Sequence, residues 1–130
     1  MIVIDASAVL EVLLNTPEAD AIAARFFAPG ESLHAPHLLD LEVAQVLRRY
    51  ARAGELAAPR GARALEDLVD LPITRYPHEL LLARIWELRN GVTAYDAAYL
   101  ALAEALAAPL VTRDAALASS RAHRARVELV

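Results

Sequence analysis

The sequence contains no cysteine and no lysine, and the two absences exclude several kinds of site. Without cysteine there is no disulfide scaffold, no thiolate zinc site and no cysteine nucleophile, and the composition fits a reducing compartment. All thirteen basic residues are arginine, so a Walker A loop and a Schiff-base site are excluded, because each requires a lysine. The net charge of −4 argues against coating nucleic acid through bulk positive charge. We therefore expect any contact with RNA to be local.

A basic leader and an unbroken apolar span are also missing. The first ten residues, MIVIDASAVL, contain an acid and no basic residue, so they do not resemble a signal peptide. The most apolar stretch, 93–112, is interrupted by Asp96, Glu104 and Pro109, whereas a membrane span needs roughly 20 mostly apolar residues. We expect no membrane segment and a cytoplasmic location. The length of 130 residues, 57% of them hydrophobic, predicts one domain over residues 1–130.

Strand and helix patterns alternate along the chain. Short apolar runs predict strands at 2–5, 32–36, 71–76, 109–112 and 127–130. Helical periods and breakers predict helices at 17–27, 38–52, 55–70, 78–89 and 93–107, with a helix after the first strand and a short one from 114. This alternation predicts a three-layer α/β/α fold in which helices cover both faces of a central parallel sheet.

Four acids fall where these strands end or the following helices begin. Asp5 ends the first strand, Glu42 lies early in the 38–52 helix, Asp96 is in the first turn of the 93–107 helix, and Asp114 follows the 109–112 strand. Ligands of open parallel sheets bind beyond the carboxyl ends of the strands. We therefore expect at least three of the four acids to face the same edge of the sheet.

Each acid taken alone has a simpler explanation. A carboxylate in the first turn of a helix is stabilised by roughly 0.3–1 kcal/mol through the helix dipole. Thr93 and Asp96 fit a capping box, and Thr112 could cap a helix whose second residue is Asp114. Ser7 could cap the helix that follows the first strand. Helix-end roles therefore compete with a shared site at every position.

The surroundings of Asp5 and Asp96 favour a shared site. Asp96 is the only charged residue in AYDAAYLALA, and Asp5 lies between an apolar strand and Ala6, with no arginine in the first 24 residues. An uncompensated buried carboxylate costs several kcal/mol, so a cation is the expected partner. Carboxylates without His or Cys suit Mg²⁺ or Mn²⁺ rather than zinc. One or two such ions, about 4 Å apart, would activate water for phosphodiester hydrolysis.

Four segments carry a resemblance to a known family. In chain order they are IVIDASAVLEVLL, PHLLDLEVAQVLRR, TAYDAAYLALAEAL and PLVTRDAAL, and they span residues 2–117. With these segments the chain resembles the PIN-domain family, in particular its bacterial VapC-like toxins. The resemblance implies a PIN-like α/β/α fold with a central parallel sheet, a carboxylate-lined Mg²⁺ or Mn²⁺ site, and endonucleolytic cleavage of RNA.

The resemblance also implies roles for the four acids. Asp5 and Asp96 take the positions of the principal metal ligands. Glu42 would bind metal or orient the water, and Asp114 would support the ligands or bind a second metal. Asp40 is a rival to Glu42, because the two residues flank the same apolar stripe of their helix. The motif position favours Glu42.

Two hydroxyls and several partners follow from the same resemblance. Ser7 and Thr112 lie where the family often places a hydroxyl that bonds the acids or the metal's waters. Family toxins pair as homodimers, and form a heterotetramer or larger assembly with a VapB-like antitoxin. The antitoxin's C-terminal segment lies in an apolar groove and reaches the acids with a basic side chain. Here the groove walls would be the helices of residues 38–70.

Other functions fit the sequence less well. A haloacid-dehalogenase-type phosphatase needs D-x-D, whereas this chain has Asp5-Ala6-Ser7, and it usually needs a lysine. A receiver-like domain lacks its lysine and paired acids in the same way. A PIN-like protein-interaction module with little or no catalysis remains the main alternative, and metal binding would discriminate it.

The remaining polar and aromatic residues receive no catalytic role. Seven arginines could contact RNA phosphates or simply form solvated faces: Arg48, Arg49, Arg52, Arg113, Arg121, Arg124 and Arg126. The four histidines lack ligand spacing and are interpreted as surface or core residues: His34, His37, His78 and His123. Three aromatic residues at helical spacing are predicted to pack in the core or in a dimer: Trp86, Tyr95 and Tyr99.

Overall fold

The computed structural model describes all of residues 1–130 as five strands and seven α-helices. The strands are β1 (Ile2–Ile4), β2 (Leu33–Pro36), β3 (Ile73–Tyr76), β4 (Leu110–Thr112) and β5 (Val127–Leu129). The helices are α1 (Ala6–Leu13), α2 (Ala19–Phe26), α3 (Leu38–Arg52), α4 (Ala58–Asp70), α5 (Leu82–Glu87), α6 (Ala94–Leu106) and α7 (Ala115–Ser119). A 3₁₀ turn, His78–Leu81, precedes α5.

The strands form one sheet in the order β3-β2-β1-β4-β5, and every neighbouring pair is parallel. Val3 of β1 pairs with His34 on one side and with Leu110 on the other. The predicted α/β fold with a central parallel sheet is therefore confirmed. Strand order reverses at β1, and ligands bind at such a reversal, beyond the carboxyl ends of the strands. The carboxyl ends of β1 and β4 lie side by side there, followed by Asp5 and by Arg113 and Asp114.

The core forms around the central strands. Ile2, Val3 and Ile4 are all fully buried, as expected for a strand covered on both faces. In α6 every residue from Ala97 to Ala103 is buried, which explains why this segment is apolar all round. None of the helices combines the length and the apolar composition needed to cross a membrane.

Several predicted boundaries differ from the structure. The α3 prediction is confirmed at both ends, but α4 begins at Ala58 rather than Glu55, because Gly54 takes a positive φ of 76° and Pro59 starts the helix in its first turn. The single helix predicted at 78–89 is wrong, since a 3₁₀ turn precedes a short α5. These differences lie away from the ends of β1 and β4.

Candidate active site

Asp5 is the most buried of the four acids, with only 7% of its surface exposed. It is the N-cap of α1 and accepts a hydrogen bond from the Ala8 amide at 3.1 Å. The Ser7 hydroxyl donates to Oδ1 at 2.7 Å, and the Thr112 hydroxyl donates to Oδ2. Burial raises the pKa of Asp5, and these three hydrogen bonds oppose the rise. The predicted cap at Ser7 is wrong, because Asp5 takes that position and Ser7 supports it.

Thr112 connects the end of β4 to Asp5 and to the next acid. Its side chain is fully buried, and its oxygen accepts a hydrogen bond from the Asp114 amide at 2.9 Å. Asp114 is itself the N-cap of α7, where Oδ1 accepts from the amides of Ala116 and Leu117 at 2.9 and 3.2 Å. The predicted cap at Thr112 is therefore wrong. Asp114 is exposed, and its Oδ2 is left free.

Glu42 is half-buried on α3 and has no basic partner. The Tyr99 hydroxyl donates to its Oε1 at 2.6 Å. Burial raises the pKa of Glu42, the Tyr99 hydrogen bond opposes that rise, and the charges of Asp5 and Asp96 add to it. Glu42 therefore lies close enough to these two aspartates for their charges to act on it.

Asp96 is half-buried in the first turn of α6. Its amide donates to the Thr93 hydroxyl at 3.1 Å, so Thr93 caps the helix as predicted. The Asp96 carboxylate has no hydrogen-bond partner. Burial raises its pKa, and the charges of Asp114 and Asp5 raise it further.

The structure brings all four predicted acids into one electrostatic cluster. The charges of Asp5 and Asp96 raise the pKa of Glu42, and the charge of Asp114 raises the pKa values of Asp5 and Asp96. Three members stand apart from the rest of the chain. Every other acidic side chain either lies in an ion pair or is exposed, whereas Asp5, Glu42 and Asp96 are neither. No three Asp, Glu, His or Cys side chains are arranged to enclose a metal ion as they stand. Metal binding at these acids stays a prediction.

Asp40, the rival to Glu42, forms an ion pair with Arg75. The Arg75 guanidinium donates to both of its carboxylate oxygens, at 2.8 and 3.0 Å. A bidentate arginine pair satisfies the carboxylate without a metal. The geometry therefore favours Glu42 as the acid that α3 contributes.

A cleft of about 910 Å³ opens beside the cluster. Its walls are α1 and α3, with Ser7 and Glu42 at the acidic end and Tyr95 and Arg113 from later in the chain. No residue of α4 lines it, so this cleft differs from the antitoxin groove predicted between the helices of residues 38–70, and that groove stays a prediction. Its apolar lining includes Leu10, Leu38, Leu41 and Val46.

Sequence reasoning missed the contribution of Tyr99. The prediction that it packs in the core or a dimer accounts for its ring, which is 2% exposed, but not for its hydroxyl on Glu42. The available signal was its position three residues after Asp96, on the same face of the helix. Trp86 and Tyr95 are 68% and 63% exposed, so packing in the core is excluded for them, and packing in a dimer stays a prediction.

Two of the histidines make structural hydrogen bonds, and some of the arginines line the cleft. His34 is buried between the hydroxyls of Ser32 and Tyr76, at 2.7 and 2.8 Å, as a core histidine. His78 accepts from the Leu38 amide at 2.9 Å, at the start of α3. Among the seven arginines considered for RNA contact, three line the cleft: Arg48, Arg49 and Arg113.

Comparison with known proteins identifies the family. A family model described as PIN domain matches residues 2–121. The chain belongs to the PIN-domain family. This PIN domain is 49% identical over 120 residues to ribonuclease VapC9 of Mycobacterium tuberculosis, covering 92% of this chain and 91% of the relative. It is 40% identical over 130 residues to ribonuclease VapC12 of the same organism, covering 100% and 99%.

A solved structure shares the fold of this PIN domain. It is that of VapBC2 from Rickettsia felis bound to a DNA fragment from its promoter, with a TM-score of 0.71, 12% identity, and coverage of 99% of this chain and 98% of that one. The predicted resemblance to the PIN family and its VapC members is therefore confirmed.

Proposed function

We propose that this PIN domain is a Mg²⁺-dependent endoribonuclease toxin of a VapBC-type toxin–antitoxin pair, with Mn²⁺ as a possible substitute. One observation carries the proposal: Asp5, Glu42 and Asp96 are the acids that are neither exposed nor ion-paired, and they influence one another at one edge of the sheet. Relatives at 40–49% identity that are named ribonucleases support the reaction class.

The donor set fits a hard divalent cation. It consists of carboxylates alone, which Mg²⁺ and Mn²⁺ prefer, and none of these acids forms an ion pair with a basic side chain. To bind one shared ion, the carboxylates would have to move closer together than they are in this structure. When bound, the metal would activate the attacking water and neutralise charge on the phosphodiester.

The protein's own residues prepare this edge of the sheet. Asp5 is held by two hydroxyls and one amide, which use three of the roughly four lone-pair positions of a carboxylate and leave one for a cation. Asp96 has both oxygens free, and Glu42 has one. We assign Asp5 and Asp96 as principal ligands and Glu42 as a ligand or as the acceptor of the water's proton. Asp114, which is exposed, contributes its free Oδ2 to the site.

The cleft beside the acids suits both an RNA strand and an inhibitory segment. Arg48, Arg49 and Arg113 could contact phosphates along it. Its apolar wall would receive the C-terminal segment of a VapB-like antitoxin, and the VapBC2 complex from R. felis supports a partner of this kind. A cytoplasmic location follows from the proposal, because RNA and antitoxin meet there.

A homodimer belongs to the same proposal. Leu80, Leu82 and Trp86 lie close together in sequence along the 3₁₀ turn and α5 and are 73%, 57% and 68% exposed. An apolar surface of this kind favours burial against a second copy. Trp86→Arg is expected to shift the protein from dimer to monomer in light scattering, and an unchanged mass would place the dimer contact elsewhere.

Expression in growing bacteria tests the proposed function. The wild-type chain should arrest growth and produce discrete RNA cuts, and co-expression of the cognate antitoxin should restore growth. Asp5→Asn should abolish both effects, whereas Asp70→Asn, which changes an exposed, unpaired acid on α4, should retain them. Growth arrest that persists in Asp5→Asn would contradict the proposed site.

A further inference from the structure

A buried phenol joins the two helices that carry Asp96 and Glu42. Tyr99 on α6 is 2% exposed, and its hydroxyl donates to Oε1 of Glu42 on α3 at 2.6 Å, across 57 residues of chain. This is the one hydrogen bond between α3 and α6. Tyr99 lies three residues after Asp96, so both side chains project from the same face of α6. The phenol therefore connects the helix of one proposed ligand to the side chain of another.

Glu42 has no other partner that fixes its orientation. It forms no ion pair, accepts no backbone hydrogen bond, and is not a helix cap. A glutamate has three rotatable side-chain bonds, and repulsion from Asp5 and Asp96 favours rotation away from them. The Tyr99 hydroxyl is the contact that opposes this rotation.

The hydroxyl of Tyr99 is also unexplained by packing. A phenylalanine would fill the same core position, and a buried tyrosine hydroxyl needs a hydrogen-bond partner. The only partner present is Glu42. An ordinary phenol is protonated at neutral pH, so the Tyr99 hydroxyl donates and the Glu42 carboxylate accepts.

We propose that Tyr99 is a positioning residue of the metal site: by donating to Oε1 of Glu42 it fixes that carboxylate and leaves Oε2 free for the divalent cation. The inference rests on the proposed function, because it assumes that Glu42 binds the metal. Groups that orient metal ligands typically change metal affinity or activity 10- to 100-fold when removed.

Manganese affinity measured by calorimetry tests the inference without relying on activity. Tyr99→Phe should weaken Mn²⁺ binding by about 10- to 100-fold. Tyr76→Phe is the matched control, since it also removes a hydroxyl from a hydrogen bond, here to His34, and has no contact with the acids. Both variants should lose some thermal stability, but Tyr76→Phe should keep the wild-type Mn²⁺ affinity.

A double-mutant cycle separates positioning from a general effect on the fold. If Tyr99 acts through Glu42, then Tyr99→Phe should cause little further loss of Mn²⁺ affinity in a Glu42→Gln background. A merely structural role would weaken binding equally in both backgrounds, and this result would overturn the inference.

The remaining outcomes are also distinct. Equal Mn²⁺ affinity of wild type and Tyr99→Phe would overturn the role of Tyr99 and leave the proposed function standing. A wild-type protein that binds no Mn²⁺ would overturn the proposed function and the inference with it.

Should Tyr99→Phe fail to fold, Mg²⁺ can be titrated into wild-type protein carrying ¹³C-labelled tyrosine. The Tyr99 ring resonances should shift while those of Tyr76 do not, and an unmoved Tyr99 would refute the inference.

Discussion

Asp40 and Arg75 form a bidentate ion pair, in which the guanidinium donates to both carboxylate oxygens at 2.8 and 3.0 Å. Glu42, two residues later on the same helix, has only the Tyr99 hydroxyl. The two acids of α3 are therefore in different electrostatic situations. Asp40 is neutralised by the protein, whereas the charge of Glu42 remains available to a ligand.

This difference predicts opposite outcomes for two similar substitutions. Glu42→Gln should reduce RNA cleavage by at least about 100-fold, since it removes a carboxylate from the proposed site. Asp40→Asn should keep most of the activity and cost less than about 1 kcal/mol of stability, because its ion pair is partly exposed. Cleavage rates and urea unfolding of both variants provide the measurement. Loss of activity in Asp40→Asn alone would reverse the assignment.

The Thr112 hydroxyl is predicted to stabilise the fold as well as the site. Thr112→Val keeps the shape of the side chain but removes the donor to Asp5 and the acceptor of the Asp114 amide. The free energy of unfolding should therefore fall by about 1.5–3 kcal/mol. Thr112→Ser retains the hydroxyl and serves as the control. Urea denaturation distinguishes them. A valine variant as stable as the serine variant would show that the hydrogen bond to Asp5 contributes little.

The acid cluster should make the metal-free protein less stable as pH rises. Burial raises the pKa of Asp96, so its favourable contribution is complete below the unfolded value of about 3.9 and is lost as pH increases through the folded value. Asp96→Asn, which cannot ionise, should therefore melt at a higher Tm than wild type at pH 7 in EDTA, and the two should converge near pH 4. Parallel Tm curves across this range would contradict the uncompensated charge.

The cleft wall is predicted to receive the antitoxin. Leu41 lines the cleft and is 72% exposed, so Leu41→Asp should abolish co-purification with the cognate antitoxin. Val69→Asp is the matched control, since Val69 is 75% exposed on α4 and lies outside the cleft. Equal binding by both variants would exclude this wall as the docking surface.

Local features of the sequence predicted much of the fold, because strand runs, breakers and helical periods are local. The bounds of α3 and the capping of α6 by Thr93 followed from such signals. Contacts between segments that are distant in the sequence could not be predicted in this way. The hydrogen bonds from Thr112 to Asp5 and from Tyr99 to Glu42 join positions 107 and 57 residues apart, and only the packed sheet brings them together.

Side-chain competition explains the errors near the site. Ser7, Asp5, Thr112 and Asp114 are all good N-cap residues, so the sequence alone left the choice open. In the structure the two acids act as caps, and the hydroxyls of Ser7 and Thr112 bind around Asp5. The sequence left Trp86 between core and dimer packing, because an apolar helical period looks the same whether it faces a core or an exposed surface.

RNA cleavage by purified protein is the most direct test of the central claim. Wild type should cut RNA with Mg²⁺ or Mn²⁺ and lose that activity in EDTA, and Asp5→Asn and Asp96→Asn, each verified to be folded, should be inactive with metal present. If the folded variants cut as well as wild type, or if wild type cuts equally well in EDTA, the carboxylate site is not the source of the activity.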